Sequence, residues 1–131
     1  MEEEKFNLIK EYIMEMELSI VSEEVEECLV IVDDEENGIK NLIIDVEDPI
    51  LIIEQIIMKV PAQTDVLFKR LLQMNRNLVH GAFVLDEDCE FIIFRDTLQI
   101  ENIDRNELEG SIQALSLALS EFGNELIEFS K

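Results

Sequence analysis

The sequence predicts an α+β fold in which an antiparallel sheet packs against helices, and three observations lead to this prediction. Apolar residues recur at helical spacing near both ends of the chain, in residues 6–16 and 112–129. Between them lie runs rich in isoleucine and valine, as strands are. Short turn segments such as Asn37-Gly38 separate neighbouring runs, which is typical of hairpins. The predicted order of elements is α-β-β-β-α-β-β-α.

The N-terminal third is predicted to form one helix and one hairpin. The helix spans residues 3–18, and its buried stripe has 3-4-3 spacing: Phe6, Ile9, Ile13 and Met16. The turn signal of Asn37-Gly38 predicts a type I′ hairpin between strands at 25–33 and 39–46. That turn places Val32 opposite Ile43.

Residues 51–60 are predicted to form a third strand that is apolar on both faces. A helix is the rival interpretation, but the isoleucine density and the neighbouring prolines favour a strand. A second helix follows, with Thr64 as its N-cap and Asn75 near its end. Its apolar surface is wide for its length, which predicts that it is covered on two sides.

A second hairpin is predicted from the apolar runs at residues 78–85 and 91–100. A two-residue turn pairs Gly81 with Phe94, so that the phenylalanine ring lies over the bare glycine. Phe83 and Phe94 then share one face of the sheet. A one-residue change in the turn would exchange the faces.

The last helix is predicted over residues 105–129, with Asp104 accepting a hydrogen bond from the Glu107 amide at its start. Apolar side chains keep a 3-4-3-4-3 seam along it: Ile112, Leu115, Leu119, Phe122, Leu126 and Phe129. The seam permits a coiled coil. Packing on the sheet is favoured, because only about three heptads are present and a sheet is available.

Composition limits the classes of partner. The 131 residues fit a single domain, 1–131, and 31 acidic against 10 basic residues give a net charge of -21. This charge disfavours binding to nucleic acids and to anionic membranes. The absence of a signal peptide or a membrane-spanning run favours the cytoplasm. Cys28 and Cys89 fall on predicted strands without CxxC spacing, and one disulfide stays open.

Residues able to carry out a reaction are scarce. His80, the only histidine, falls in a predicted strand beside Arg95, and with two separated cysteines it is too little for a zinc site. Arg95-Asp96 is interpreted as a structural ion pair. No phosphate-binding loop or nucleophile elbow occurs. We therefore predict no catalytic residue, no metal, no cofactor and no enzyme activity.

Four segments carry a family resemblance: LLQMN (71–75), VHGAFVLD (79–86), FRDTL (94–98) and NEL (106–108). With the order of elements, they make the chain resemble the type III secretion chaperone (Tir chaperone) superfamily, and within it the YbjN group. The resemblance covers nearly the whole chain. It implies a secretion-chaperone-like fold and a small acidic homodimer that holds an extended segment of a client protein on apolar patches, partly by strand addition.

Two sets of residues follow as candidates for these contacts. The doubly apolar third strand supplies the candidates for partner binding: Ile52, Ile53, Ile56 and Ile57. The second helix and the hairpin of residues 25–46 are the candidates for the dimer interface, and the helix would contribute Leu67, Phe68, Leu71 and Leu72. An equally open interpretation is that helices and a dimer mate cover the apolar strand residues. The alternative function is that of a YbjN-like regulatory or stress-response protein docking on a folded partner.

Overall fold

A computed structural model describes residues 2–131, which form three helices and one six-stranded antiparallel sheet. The helices are α1 (Glu2–Glu15), α2 (Asp65–Arg76) and α3 (Arg105–Ser130). The strands are β1 (Ser19–Glu24), β2 (Leu29–Asp34), β3 (Ile39–Glu47), β4 (Ile50–Lys59), β5 (Ala82–Leu85) and β6 (Phe91–Gln99). Their spatial order is β1-β2-β3-β4-β6-β5. The α+β class and the antiparallel sheet are confirmed.

The predicted order of elements is confirmed with one addition, strand β1. Its sequence, SIVSEE, contains two apolar residues, and its side chains are almost wholly exposed. The strand therefore forms because it pairs with β2, not because of its hydrophobic pattern. Helix α1 ends at Glu15, because Glu17 takes a left-handed conformation with φ of 62° and Leu18 donates back to the Ile13 carbonyl. The helix is therefore shorter than predicted.

The predicted register of the first hairpin was wrong by one residue. Val32 pairs with Leu42, not with Ile43. A short 3₁₀ turn over Glu35–Asn37 precedes Gly38, and of these residues Gly38 has the positive φ, at 77°. A type I′ turn needs positive φ at both central residues, so the Asn37-Gly38 signal marked the turn but misidentified its type.

The register of the β5–β6 hairpin differs from the prediction by two residues, so the predicted faces survive. Phe83 pairs with Phe94 rather than with Ile92, and both rings are buried on the same side of the sheet. The connecting loop is longer than a two-residue turn, and the Asp86 carboxylate accepts from the Glu90 and Phe91 amides. The Phe94 ring still lies over Gly81, as predicted.

All three helices lie on one side of the sheet. Helix α1 lies against β3, α2 against β5, and α3 against β4 and β6. The buried side chains of the helices form a single hydrophobic core with the inward-pointing strand residues, among them Val32, Ile44, Ile53 and Phe94. Packing of α3 on the sheet, rather than in a coiled coil, is confirmed. The opposite side of the sheet has no helix over it in residues 2–131.

The two edges of the sheet differ. On β5, the Asn75 side chain accepts from the Phe83 amide at 2.7 Å and donates to the Phe83 carbonyl at 3.2 Å. This amide thereby occupies backbone groups that a further strand would use. On β1 no side chain in the described chain bonds the backbone, so this edge is the one left open.

Several smaller predictions need correction. His80 is exposed and precedes β5 instead of lying within a strand. Cys28 and Cys89 lie in turns with positive φ, not on strands, and both thiols are free. Arg95 and Asp96 point to opposite sides of the sheet and do not pair. Arg95 binds Glu54, while Asp96 accepts from the buried Ser111 hydroxyl at 2.7 Å.

Candidate protein-binding surface

The uncovered side of the sheet, here called the outer face, carries apolar side chains on a surface that the fold leaves free of helices. Along β4, Leu51 and Ile53 point into the core, so Ile52 and Ile56 between them point outward. The pairing of neighbouring strands extends this alternation across the sheet. The apolar residues of the outer face are Leu29, Ile31, Ile43, Ile50, Ile52, Ile56, Val84, Phe91 and Ile93.

The size of the outer face follows from the spacing of its strands. From β2 to β6 it crosses three interstrand spacings of about 4.8 Å, and from Ile50 to Ile56 it rises six residues at about 3.4 Å. The product is a footprint of roughly 300 Å², which includes the charged Asp45, Glu54 and Arg95 as well as apolar side chains. A surface of this size can hold one extended segment.

One ion pair crosses the middle of the outer face. Arg95 Nη1 lies 3.0 Å from Glu54 Oε1, and the two residues are direct cross-strand neighbours on β6 and β4. Opposite charges at such positions favour the pairing of strands. The pair neutralises itself and leaves Ile43 and Ala82 on either side of it in the same row.

Asp45 has no such partner. Strand pairing places it between Leu29 of β2 and Ile52 of β4, so its carboxylate lies among apolar side chains. It makes no side-chain hydrogen bond or ion pair with the described residues. Burial, followed by the nearby charges of Glu47 and Glu27, and then those of Glu54 and Glu2, raises the pKa of Asp45 from 3.8 to about 6.

The raised pKa makes a prediction about stability. Below pH 3.8 the Asp45 carboxyl is neutral in the folded and the unfolded state, and above about 6 it is charged in both. The loss of folding stability caused by its charge therefore develops between these values. We expect Asp45→Asn to raise the melting temperature at about pH 8 and to change it far less at about pH 4.5. Circular dichroism at both pH values tests this, with Asp88→Asn in an exposed loop as the control. An equal change at both pH values would contradict it.

The predicted partner-binding residues lie on different sides of β4. Ile52 and Ile56 belong to the outer face, with exposed fractions of 8% and 59%. Ile53 is fully buried in the core. Ile57 occupies a bulge opposite β6 and packs against the core. A partner covering the outer face would therefore contact Ile56, whereas neighbouring side chains already bury Ile52.

The predicted dimer residues on α2 divide in the same way. Leu67 and Leu71 are buried against the sheet, and Phe68 is partly buried there. Leu72 points away, with an exposed fraction of 72%. The helix is therefore covered on one side by its own chain, and the remaining apolar surface centres on Leu72.

The sequence analysis missed the part that β6 and β3 contribute to the outer face. Alternation in β6 puts Phe91 and Ile93 on the same face, but it does not show which face the helices leave open. Asp45 was not singled out, although an acidic residue between Ile44 and Val46 in a strand is an unusual position for a charge. That position was the available signal.

Two grooves lie elsewhere on the surface. They flank the exposed side of α3, with volumes of about 330 and 530 Å³, and both include Gln113 and Leu117 in their walls. Among the described residues, no group of three or more His, Cys, Asp or Glu side chains is arranged to hold a metal ion. No helix within residues 2–131 has the length and apolar character needed to cross a membrane.

Comparisons with known proteins identify the fold. The family model CesT_Tir_1 matches residues 2–131. YbjN from E. coli is 12% identical, with 92% of each chain covered and a TM-score of 0.70. A chain of the HopA1–SchA chaperone–effector complex is 12% identical, covering 84% of this chain and 86% of its own, with a TM-score of 0.61.

The Yersinia pestis type III secretion chaperone SycH, in complex with a stable fragment of YscM2, is 16% identical over 88% of this chain and 98% of its own, with a TM-score of 0.57. No curated protein matches in sequence. The likeness to the solved structures, at such low identity, establishes a common fold. The family match over residues 2–131 shows that the chain belongs to the CesT_Tir_1 family, and its fold is the one found in YbjN and in the type III secretion chaperones.

Proposed function

We propose that this chain is a single-domain, non-enzymatic, cytoplasmic protein-binding module whose outer face shields an extended or partly unfolded segment of a partner protein. The observation that carries the proposal is the apolar side of the sheet that no helix covers, where Ile56 is 59% exposed. Among proteins of the same fold, SchA occurs in the HopA1–SchA chaperone–effector complex, and SycH is bound to a fragment of YscM2. Those partnerships support a protein ligand for this chain.

The outer face suits an extended segment for a physical reason. Its apolar side chains lie in rows at strand spacing, so every second side chain of an extended segment meets a row. Burying each of the larger ones removes apolar surface from water, at about 25 cal/mol per Å². The open edge at β1 offers backbone groups for an added strand beside this face.

Ile56→Glu is expected to abolish partner capture without unfolding the protein. Ile56 is 59% exposed, so the folded state tolerates a charge there, whereas a partner covering it would bury that charge. The measurement is crosslinking in the native cell, followed by identification and quantification of captured segments. The control is Ile127→Glu on α3, the same substitution at 56% exposure. Equal capture by both variants would contradict the proposal.

A synthetic peptide of the captured segment then separates shielding from docking on a folded partner. If the outer face shields an extended segment, a synthetic peptide of the captured segment binds as tightly as the intact partner does. If the protein docks on a folded surface, as in the alternative regulatory function, the peptide alone does not bind.

We further propose a homodimer through α2, on the side where Leu72 is exposed. Leu72 is 72% exposed beside the partly buried Phe68. We expect Leu72→Glu to convert a dimer into a monomer in analytical ultracentrifugation at micromolar concentration. Leu117→Glu on α3, where the leucine is 69% exposed, is the matched control. A monomeric unmodified protein would disprove the dimer.

A further inference from the structure

We propose that the segment covering the outer face carries a lysine or arginine, flanked by apolar residues, and that this cation binds the Asp45 carboxylate. The inference rests on the proposed function, because it names the chemistry of the partner that the outer face accepts. It begins from the position of Asp45, which lies between Leu29 and Ile52 in the apolar rows.

Covering the outer face creates an electrostatic problem at Asp45. A partner with only apolar side chains would remove the carboxylate from water and leave it unpaired, which disfavours binding or forces protonation. The charges around Asp45 aggravate this cost, since Glu27, Glu47, Glu54 and Glu2 all act on it with the same sign. A cation supplied by the partner removes the penalty and adds a charge-assisted hydrogen bond.

Within residues 2–131, the basic residues of β3, β4 and β6 offer no free cation for this role. On β3, β4 and β6, the basic residues are Lys40, Lys59 and Arg95. Arg95 is paired with Glu54 at 3.0 Å, and Lys40 lies 3.9 Å from Glu35. Lys59 pairs with Phe91 at the far end of β4, seven residues from Ile52 and therefore about 23 Å away along the strand.

A second copy of the chain is consequently a poor occupant of the outer face. Diverting its Arg95 to Asp45 would leave Glu54 unpaired, so one buried charge would replace another. Two outer faces in contact would also bring together both sets of carboxylates around Asp45, which adds repulsion at that contact. A cationic, apolar segment of another protein meets both conditions that the outer face imposes.

The test is selection from a random library of twelve-residue peptides on the immobilised protein. The expected result is enrichment of peptides with a basic residue between apolar ones. The preference should disappear on Asp45→Asn and persist on Asp45→Glu. It should also persist on Asp88→Asn, which changes the net charge equally in an exposed loop. Selection without a basic preference, no enriched peptide, or an undiminished preference on Asp45→Asn would overturn the proposal.

An affinity measurement on the best arginine peptide completes the test. Replacing its arginine by citrulline, which keeps the shape and removes the charge, is expected to weaken binding about tenfold on the unmodified protein and less than about twofold on Asp45→Asn. Equal losses on both proteins would overturn the pairing. If Ile56→Glu abolishes partner capture while Asp45→Asn leaves the basic preference intact, the proposed function stands and the cation at Asp45 falls.

The direction of the stability change distinguishes this role from a structural one. If the Asp45 carboxylate stabilised the fold, its replacement would destabilise the protein. Asp45→Asn is expected to stabilise the free protein at about pH 8 and to weaken binding of the arginine peptide in the same buffer. Weaker binding together with a lower melting temperature would trace the loss to the fold and overturn the assignment.

Discussion

Gly81→Ala is expected to lower the free energy of unfolding by about 2–4 kcal/mol, through two effects that act together. An added Cβ would lie within 3.0 Å of both Cε atoms of Phe94, and closer still to its Cζ. Gly81 also has φ of +75°, where a side chain costs about 1–2 kcal/mol. The Phe94 ring cannot retreat easily, because it is fully buried and packs edge-on against Phe83, with ring centroids 6.2 Å apart.

Urea denaturation followed by circular dichroism measures this effect. Gly123→Ala is the matched control, since nothing lies within 4 Å of an added Cβ there and the residue is inside α3. Alanine at that position should stabilise the protein by about 0.5–1 kcal/mol, because it favours helix more than glycine does. A change at Gly81 of less than about 0.5 kcal/mol would show that the loop before β5 rearranges freely.

The contact between Gly81 and Phe94 shows which features the sequence could predict. Alternation within each strand fixed the shared face of Phe83 and Phe94, and a shift of two residues in the hairpin left that face unchanged. In the first hairpin both strands are apolar on both sides. The hydrophobic pattern there could not distinguish pairing of Val32 with Leu42 from pairing with Ile43.

The candidate surface was predictable only in part, for a related reason. Ile52 and Ile56 were chosen together with Ile53 because the whole strand is apolar. Which alternate set remains uncovered depends on where α1 and α3 pack, and that is set by contacts between residues distant in the sequence. The significance of Asp45 depends on the same information, since its neighbours Leu29 and Ile52 come from other strands.

Gln55→Met is expected to destabilise the protein by about 2–3 kcal/mol. Gln55 is 5% exposed; its side-chain oxygen accepts from the Lys40 amide at 3.0 Å, and its nitrogen donates to the Gly38 carbonyl at 3.1 Å. Methionine keeps the length of the side chain but leaves both backbone groups without partners, at about 1–3 kcal/mol each. Burial of the more apolar side chain offsets about 1 kcal/mol of that loss.

Urea denaturation and amide hydrogen exchange together identify the cause. Exchange at Lys40 should accelerate in Gln55→Met, because its amide loses the Gln55 acceptor. Gln99→Met at the exposed end of β6 provides a glutamine without such bonds and should change stability by less than about 0.5 kcal/mol. If the Lys40 amide stays protected from exchange in Gln55→Met, the 3₁₀ segment and Gly38 alone hold the turn after β2. The Gln55 side chain then does not link β4 to the start of β3.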